Sequence, residues 1–282
     1  MNAIEIRNLC KSYPGFELSN INLALPQGCI MGLVGENGAG KSTIIELIMN
    51  AIPNSSGTVK VMGVENTAPA FSNIKQDIGV VLDEAYYPEV LTAKRLNCVM
   101  RRTYRNWDDS CYFSYLKKLS LPLDKEFKDF SRGMKMKLAI AVAMSHKPKL
   151  LILDEATSGL DPMVRDEILD MFNDFTRDEE NSILLSSHIV SDLEKICDYI
   201  TFIHQGHLQF CEEKDRLLEK YAILKLRQSE LETIPEDAIV GMKNTSYGAE
   251  ILVLKEAVSS AFATESITLE DIILLMVKGG VK

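Results

Sequence analysis

The stretch "CIMGLVGENGAGKST", Cys29 to Thr43, joins an apolar run to a glycine-rich loop and then to a helix-like pattern. The apolar run is typical of a buried strand, and "KSTIIELIMN" places its Ile and Leu residues at helical spacing. "PNSSG" ends this pattern, because its residues favour turns. A buried strand, a glycine-rich loop and a helix in succession form one unit of an α/β fold.

The glycine-rich loop, Gly35 to Thr43, matches the pattern GxxxxGK[ST], and its residue types suit a chain of phosphates. Glycines let backbone N–H groups point inward at phosphate oxygens, and the start of the following helix favours an anion. Lys41 supplies a cation for the β- and γ-phosphates, and the Ser42 hydroxyl can bind Mg²⁺. The strand before the loop and the helix after it argue against a chance glycine-rich turn. The predicted binding residues are Gly35, Glu36, Asn37, Gly38, Ala39, Gly40, Lys41, Ser42 and Thr43.

Composition excludes several other classes of protein. The 282 residues are 46% hydrophobic, which is enough for a large core, and the net charge of −9 disfavours nucleic-acid binding. The six cysteines contain no CxxC pair, so we expect reduced thiols and neither a disulfide framework nor a zinc site. No stretch approaches the roughly 18 apolar residues that cross a bilayer. A role at a membrane would therefore need a partner that holds the chain there.

Strand-like and helix-like patterns alternate along most of the chain. "DIGVVL" and "NSILLSSH" are typical of buried strands, and "PMVRDEILDMFNDF" is typical of an amphipathic helix. This alternation predicts a parallel sheet with helices on its faces over residues 1–215. The pattern then changes, and "YAILKLR", "AEILVLK" and "TLEDIILLMVK" predict a small α+β domain over residues 216–282.

Two acidic residues, Asp154 and Glu155, end the apolar run "LLILDE". Ligands of parallel sheets bind beyond the carboxyl ends of the strands, so Asp154 is placed to hold Mg²⁺. Glu155 is placed to polarise a water for attack on the γ-phosphorus. A solvated acidic turn is the alternative. His188 also follows an apolar run and would reach the γ-phosphate if its strand lies beside the glycine-rich loop; otherwise it is a capping or surface residue.

A second candidate site is the helix start in "FSRGMKMKLAIAVAM", Phe130 to Met144. The Ser131 hydroxyl can accept a hydrogen bond from the first turn, which makes Ser131 a good N-cap. Most helix starts are purely structural, and the residues of this stretch alone leave that reading open.

Together these motifs resemble the ATP-binding subunit of an ABC transporter. "GENGAGKST" is similar to its Walker A motif, "LLILDE" to Walker B, "SGLD" to the D-loop, and "SSH" to the switch motif. The stretch F-S-R-G-M stands where the signature motif commonly reads LSGGQ. The resemblance implies an ABC-type P-loop NTPase over residues 1–215. Its parts are a mainly parallel core sheet with helices, an antiparallel β subdomain and a helical subdomain at about 84–145.

The resemblance also implies a mechanism. Two subunits bind two ATP–Mg²⁺ head to tail, and the signature of one covers the ATP that the Walker motifs of the other hold. The implied roles are catalysis for Glu155 and His188; Mg²⁺ binding for Ser42 and Asp154; adenine stacking for Tyr13; contact with the partner's ATP for Ser131, Arg132, Gly133 and Met134; and the D-loop for Ser158, Gly159, Leu160 and Asp161. An ordinary strand aromatic remains the alternative for Tyr13.

The chain departs from the family pattern at three positions. Asp83 stands where a Gln usually contacts Mg²⁺ and the attacking water; a carboxylate can also bind the metal, but it adds negative charge near the phosphates. Arg132 replaces the first Gly of the signature and Met134 its Gln, whereas Ser131 and Gly133 are kept. We interpret these departures as features of a subgroup and expect a changed turnover or metal preference.

The departures and the C-terminal domain resemble the ABC-2-type subunits that export bacitracin-like and other antimicrobial peptides. This resemblance implies integral membrane permease subunits as partners, contacted through about residues 86–105, and a second ATP-binding subunit, identical or a sister chain. It places the protein on the cytoplasmic face of the membrane, soluble when isolated, and implies no nucleic-acid partner. The alternatives are a soluble, non-transport ABC ATPase and an ATP-dependent clamp that does not hydrolyse. The cargo is not encoded here, because membrane subunits choose it.

Overall fold

The computed structural model of the protein describes residues 1–227, 230–231, 234–246, 248–258 and 267–279. The strands are β1 (Asn2–Tyr13), β2 (Phe16–Pro26), β3 (Ile30–Val34), β4 (Ser56–Val61), β5 (Val64–Glu65), β6 (Ile78–Val81), β7 (Leu150–Asp154), β8 (Ser182–Ser186), β9 (Tyr199–His204), β10 (His207–Glu213), β11 (Tyr221–Leu226), β12 (Ile239–Thr245) and β13 (Gly248–Leu254). The helices are α1 (Lys41–Ile48), α2 (Phe71–Ile74), α3 (Ala93–Thr103), α4 (Asp109–Lys118), α5 (Arg132–Ser145), α6 (Pro162–Phe175), α7 (Val190–Ile196), α8 (Lys214–Lys220) and α9 (Leu269–Gly279).

A ten-stranded sheet in the order β5-β4-β1-β2-β10-β9-β3-β8-β7-β6 forms the larger part of the fold. Strands β9, β3, β8, β7 and β6 are parallel to one another, whereas β1, β2, β4 and β5 pair antiparallel. A single parallel bridge between His207 and Ser19 joins the two parts. The mainly parallel core sheet and the antiparallel part that the sequence predicts are therefore confirmed.

Both faces of the parallel strands are covered, so every residue of β3, β7 and β8 is buried and none of the three shows a polar alternation. Met31 and Leu33 of β3 lie in a core that also contains the apolar residues of α1. Ile30 and Val34 lie in a second core, which contains those of α5. Because neighbouring strand residues point to opposite faces, α1 and α5 pack on opposite sides of the sheet.

The region of the predicted helical subdomain contains α3, α4 and α5. The hydroxyl of Tyr112 in α4 donates to the carbonyl oxygen of Ala93 in α3 at 3.0 Å. A side chain at Gly79 of β6 would place its Cβ 2.6 Å from the carbonyl oxygen of Ala143 in α5. Only glycine permits this close approach, which fixes α5 against the edge of the sheet.

The C-terminal residues form a separate three-stranded sheet in the order β11-β13-β12. β11, β13 and α9 contain the strands and the closing helix that the sequence predicts, and β12 adds a strand that the sequence did not indicate. Helix α9 packs on β12 and also contacts α7. Since Leu269 and Ile272 share a core with α5, the C-terminal unit packs against the part of the chain that contains the ten-stranded sheet. The domain boundary after residue 215 stays a prediction.

His146, which follows α5, is fully buried. Its ring stacks on Tyr104 with centroids 3.9 Å apart, and its Nδ1 lies 3.2 Å from the carbonyl oxygen of Gln76. Burial lowers the pKa of His146 to about 4, because the charged ring would lose its hydration.

We expect this histidine to make the fold acid-sensitive. Below its ordinary pKa of 6.5 the unfolded chain binds a proton that the folded chain refuses until about pH 4. As the pH falls from 6.5 to about 4, the free energy of unfolding should therefore decrease, by about 3 kcal/mol in total from this group. Urea titrations at several pH values should show a smaller fall for His146→Phe. The exposed His207→Phe is the control, and equal slopes in all three proteins would contradict the assignment.

Candidate nucleotide-binding and catalytic site

The parallel alignment of β3, β8 and β7 gathers the predicted site residues at one edge of the sheet. Leu33 of β3 and Asp154 of β7 both pair with Ser186, which ends β8 between them. The glycine-rich loop follows β3, Glu155 follows β7 and His188 follows β8. Because β8 lies beside β3, His188 follows a strand that neighbours the glycine-rich loop, as the prediction for His188 required.

Two glycines show why the loop needs residues without side chains. A Cβ on Gly35 would lie 2.4 Å from the carbonyl oxygen of Ile203 in the neighbouring β9. Gly40 has a φ of 111°, a left-handed conformation that strains other residues, and it is the N-cap residue of α1. Gly35 therefore lies against β9, and Gly40 turns the chain directly into α1.

Lys41 is buried inside this loop, with a side-chain exposure of 7%. Its Nζ donates to the Gly35 carbonyl oxygen at 2.8 Å and lies 3.7 Å from Oε1 of Glu155. A buried ammonium needs such acceptors and a counter-charge. The loop thus holds a preformed positive charge where a phosphate chain would lie.

Glu155 links the loop to the switch histidine. Its Oε2 accepts from His188, from the backbone N–H at 3.3 Å and from Nδ1 at 2.6 Å. The Glu155 backbone has a φ of 51°, a left-handed conformation that costs free energy in a residue other than glycine. Its carboxylate is 14% exposed, so it is held between Lys41 and His188 with one side open to solvent.

Asp154 is buried, with 5% exposure, and accepts a hydrogen bond from the Ser186 hydroxyl. Sequence reasoning did not assign Ser186; its position at the end of an apolar strand beside "LLILDE" was the available signal. Among the described residues no cluster of three or more His, Cys, Asp or Glu could hold a metal ion. Asp154 and Ser42 nevertheless fit Mg²⁺, which binds one or two protein oxygens together with substrate phosphates and water.

The signature stretch begins α5 as predicted. Ser131 is the N-cap, and its hydroxyl accepts from the backbone N–H of Met134 at 3.3 Å. Ser131 and Arg132 are exposed, and Gly133 and Met134 are partly exposed. This helix start lies on the surface, away from the core that α5 enters further on.

Asp83, the residue predicted as a tentative metal ligand, pairs with the signature. Its Oδ1 lies 2.9 Å from Nη2 of Arg132. The side chains are 50% and 63% exposed, respectively. A metal-binding role for Asp83 stays a prediction.

The D-loop residues form the turn between β7 and α6. The Ser158 backbone N–H donates to the Glu155 carbonyl oxygen at 2.9 Å, Gly159 has a φ of 71°, and Leu160 is buried. Asp161 caps α6 by accepting from the backbone N–H of Val164 at 3.1 Å. The turn is thus tied to the backbone of Glu155.

Tyr13 ends β1 and is 39% exposed. The Nζ of Lys11 lies 4.9 Å from the centre of its ring. The Tyr13 side chain is partly exposed, and adenine stacking on it stays a prediction.

Comparison with known proteins agrees with this geometry. The family model described as ABC transporter matches residues 18–158. The lantibiotic transport ATP-binding protein SrtF of Streptococcus pyogenes is 36% identical over 75% of this chain and 91% of that one. The bacitracin transport ATP-binding protein BcrA of Enterococcus faecalis is 34% identical over 73% of this chain and 67% of that one.

A solved structure of an ATP-binding subunit of an ABC transporter superposes with a TM-score of 0.69 and 25% identity, over 77% of this chain and 92% of that one. The fold, the motifs and the relatives agree on one assignment, which confirms the resemblance that the sequence indicated. The chain therefore belongs to the ABC transporter family, in which it is an ATP-binding, ATP-hydrolysing subunit.

Proposed function

We propose that this subunit closes with a second ATP-binding subunit around two ATP molecules and thereby powers export through separate membrane permease subunits. The observation that carries the proposal is the position of Glu155, held by His188 and facing the buried Lys41 ammonium. A carboxylate fixed in this way beside a phosphate loop suits a general base.

The chain's own residues suggest how hydrolysis proceeds. In the structure Lys41 bonds to the Gly35 carbonyl oxygen and faces Glu155. When ATP binds, its phosphate oxygens replace Glu155 as the partners of the Lys41 ammonium. Glu155 is then free to accept a proton from the attacking water. His188, with its proton on Nδ1, keeps the carboxylate oriented. Ser42 and Asp154 would hold Mg²⁺, which neutralises charge on the phosphate oxygens when bound.

The placement of α5 supports a site completed by a second subunit. α1, which follows the phosphate loop, and α5, which begins at Ser131, pack on opposite faces of the sheet. The exposed start of α5 presents the positive end of its dipole at the surface, where it favours an anion. We assign this anion as the γ-phosphate of ATP on the partner, an identical or a sister chain.

The membrane subunit would dock beside Asp83. A groove of about 590 Å³ there is lined by three acidic and two basic side chains together with aromatic rings: Asp83, Glu84, Glu89, Arg132, Lys135, Tyr86, Tyr87 and Phe127. Tyr86 is 79% exposed. Charges of both signs beside aromatic rings favour an amphipathic segment.

The described residues contain no helix that is long and apolar enough to span a bilayer. Because its relatives are transport ATP-binding proteins, we place the protein on the cytoplasmic face of the membrane through its permease. The relatives SrtF and BcrA are named for transport of a lantibiotic and of bacitracin. By analogy the cargo is a peptide or an amphipathic compound.

The general-base role predicts a separation of binding from hydrolysis. Glu155→Gln should keep ATP binding and lower the rate of phosphate release by about 100-fold or more, because only the base is lost. Lys41→Ala should lose both, because its ammonium contacts the phosphates. The exposed Glu46→Gln on α1 is the matched control. Unchanged hydrolysis in Glu155→Gln would contradict the role.

The dimer predicts a mass change that can be measured by light scattering. Glu155→Gln should convert from monomer to dimer when ATP–Mg²⁺ is added. Ser131→Asp, which keeps an N-cap oxygen but sets a negative charge against the phosphate, should prevent the change. Thr92→Asp, which likewise puts an aspartate at a helix N-cap, that of α3, should leave dimerisation of the Glu155→Gln protein unchanged. A Glu155→Gln protein that binds ATP but stays monomeric would exclude the homodimer and point to a sister subunit.

A further inference from the structure

Two of the three departures from the family pattern lie in contact with each other. Asp83 Oδ1 and Arg132 Nη2 are 2.9 Å apart, although the residues are separated by 49 positions in the chain. The family's usual residues at these positions, a Gln and a Gly, cannot form an ion pair. Each departure therefore supplies the partner that the other one needs.

Arg132 also lies near a third segment. A Cβ built on Gly159 of the D-loop turn would lie 3.7 Å from the Arg132 Nε. Asp83 follows β6, Arg132 begins α5, and Gly159 lies between β7 and α6. The Arg132 guanidinium thus bonds to the segment after β6 and lies beside the D-loop.

Each charge is unfavourable where it stands alone. Arg132 is the first residue of α5, and a cation at a helix N-terminus is destabilised by the helix dipole. Asp83 is a carboxylate where the family places a neutral amide next to the phosphates. The ion pair neutralises both charges. Since both side chains are at least half exposed, it contributes little to global stability.

We propose that Asp83 and Arg132 form a positioning pair that holds the start of the signature helix against the segment after β6, beside the D-loop. The pair thereby couples the orientation of the signature to the nucleotide site of the same subunit. This proposal rests on the proposed ATP-driven dimer. Neither residue is catalytic in this role; both act through the position of Ser131 and the first turn of α5.

The first experiment measures the link in the free subunit, without any dimer. Hydrogen exchange of the first-turn amides of α5 should accelerate by about 2- to 5-fold in Arg132→Met and in Asp83→Asn. The double variant should exchange no faster than the singles, because the same contact is lost. Unchanged exchange in both singles, or additive acceleration in the double variant, would overturn the pair.

The second experiment measures coupling by charge removal in the Glu155→Gln protein. Asp83→Asn and Arg132→Met should each raise the ATP concentration for half-maximal dimerisation by about 2- to 5-fold, and the double variant should raise it no further than either single variant. The matched control is the exposed pair Lys149–Glu180, at 2.7 Å, whose neutralisation by Lys149→Met and Glu180→Gln should leave dimerisation unchanged.

The outcomes separate this proposal from its rivals. A double variant whose effect equals the product of the two single effects would overturn it, since Arg132 would then contact the partner's ATP or Asp83 the metal independently of each other. A shifted Mg²⁺ requirement in Asp83→Asn but not in Arg132→Met would overturn it in favour of the metal. Failure of the Glu155→Gln protein itself to dimerise would count against the proposed homodimer alone, because hydrogen exchange still decides the pair.

Discussion

The buried ammonium of Lys41 constrains the rest of this structure. A charge with 7% exposure is tolerated only beside acceptors, and Lys41 finds them in the carbonyl oxygen of Gly35 and the carboxylate of Glu155. Gly35 follows β3 and Glu155 follows β7, and β8 separates these strands. The parallel register across the three strands is therefore what gives the ammonium its counter-charge. The same register brings His188 to Glu155.

The two cores place the two proposed functional segments, the phosphate loop and the start of α5, on opposite faces of the sheet. One core packs α1 and the phosphate loop onto one face of the sheet, and the other packs α5 onto the opposite face. Gly79 permits α5 to approach β6 backbone to backbone, which fixes the direction in which its first turn projects. Ser131 thus caps a helix that is rigidly held at its far end and exposed at its start. This arrangement suits a surface that meets another subunit.

The departures from the family pattern are best understood as a group. Asp83 alone would bring negative charge toward the phosphates, and Arg132 alone would oppose the dipole of α5. Together they form one neutral ion pair, which lies beside the D-loop at Gly159. Substitutions that look like losses when compared singly with a motif can therefore retain its geometry when they occur together.

Local chemistry is what the sequence by itself determined. The loop at Gly35–Thr43, the acidic pair after "LLILDE" and the N-cap Ser131 were predictable, because each depends on residue types at short spacing. The alternation of strands and helices likewise predicted the mainly parallel sheet. Only the tertiary structure decided the contacts between segments distant in the chain: Ser186 with Asp154, the buried stacking of His146, and Asp83 with Arg132. β12 was also missed, since its last residues are exposed and polar and it is defined by pairing with β13. Such contacts depend on which strands become neighbours, and a local pattern does not specify this.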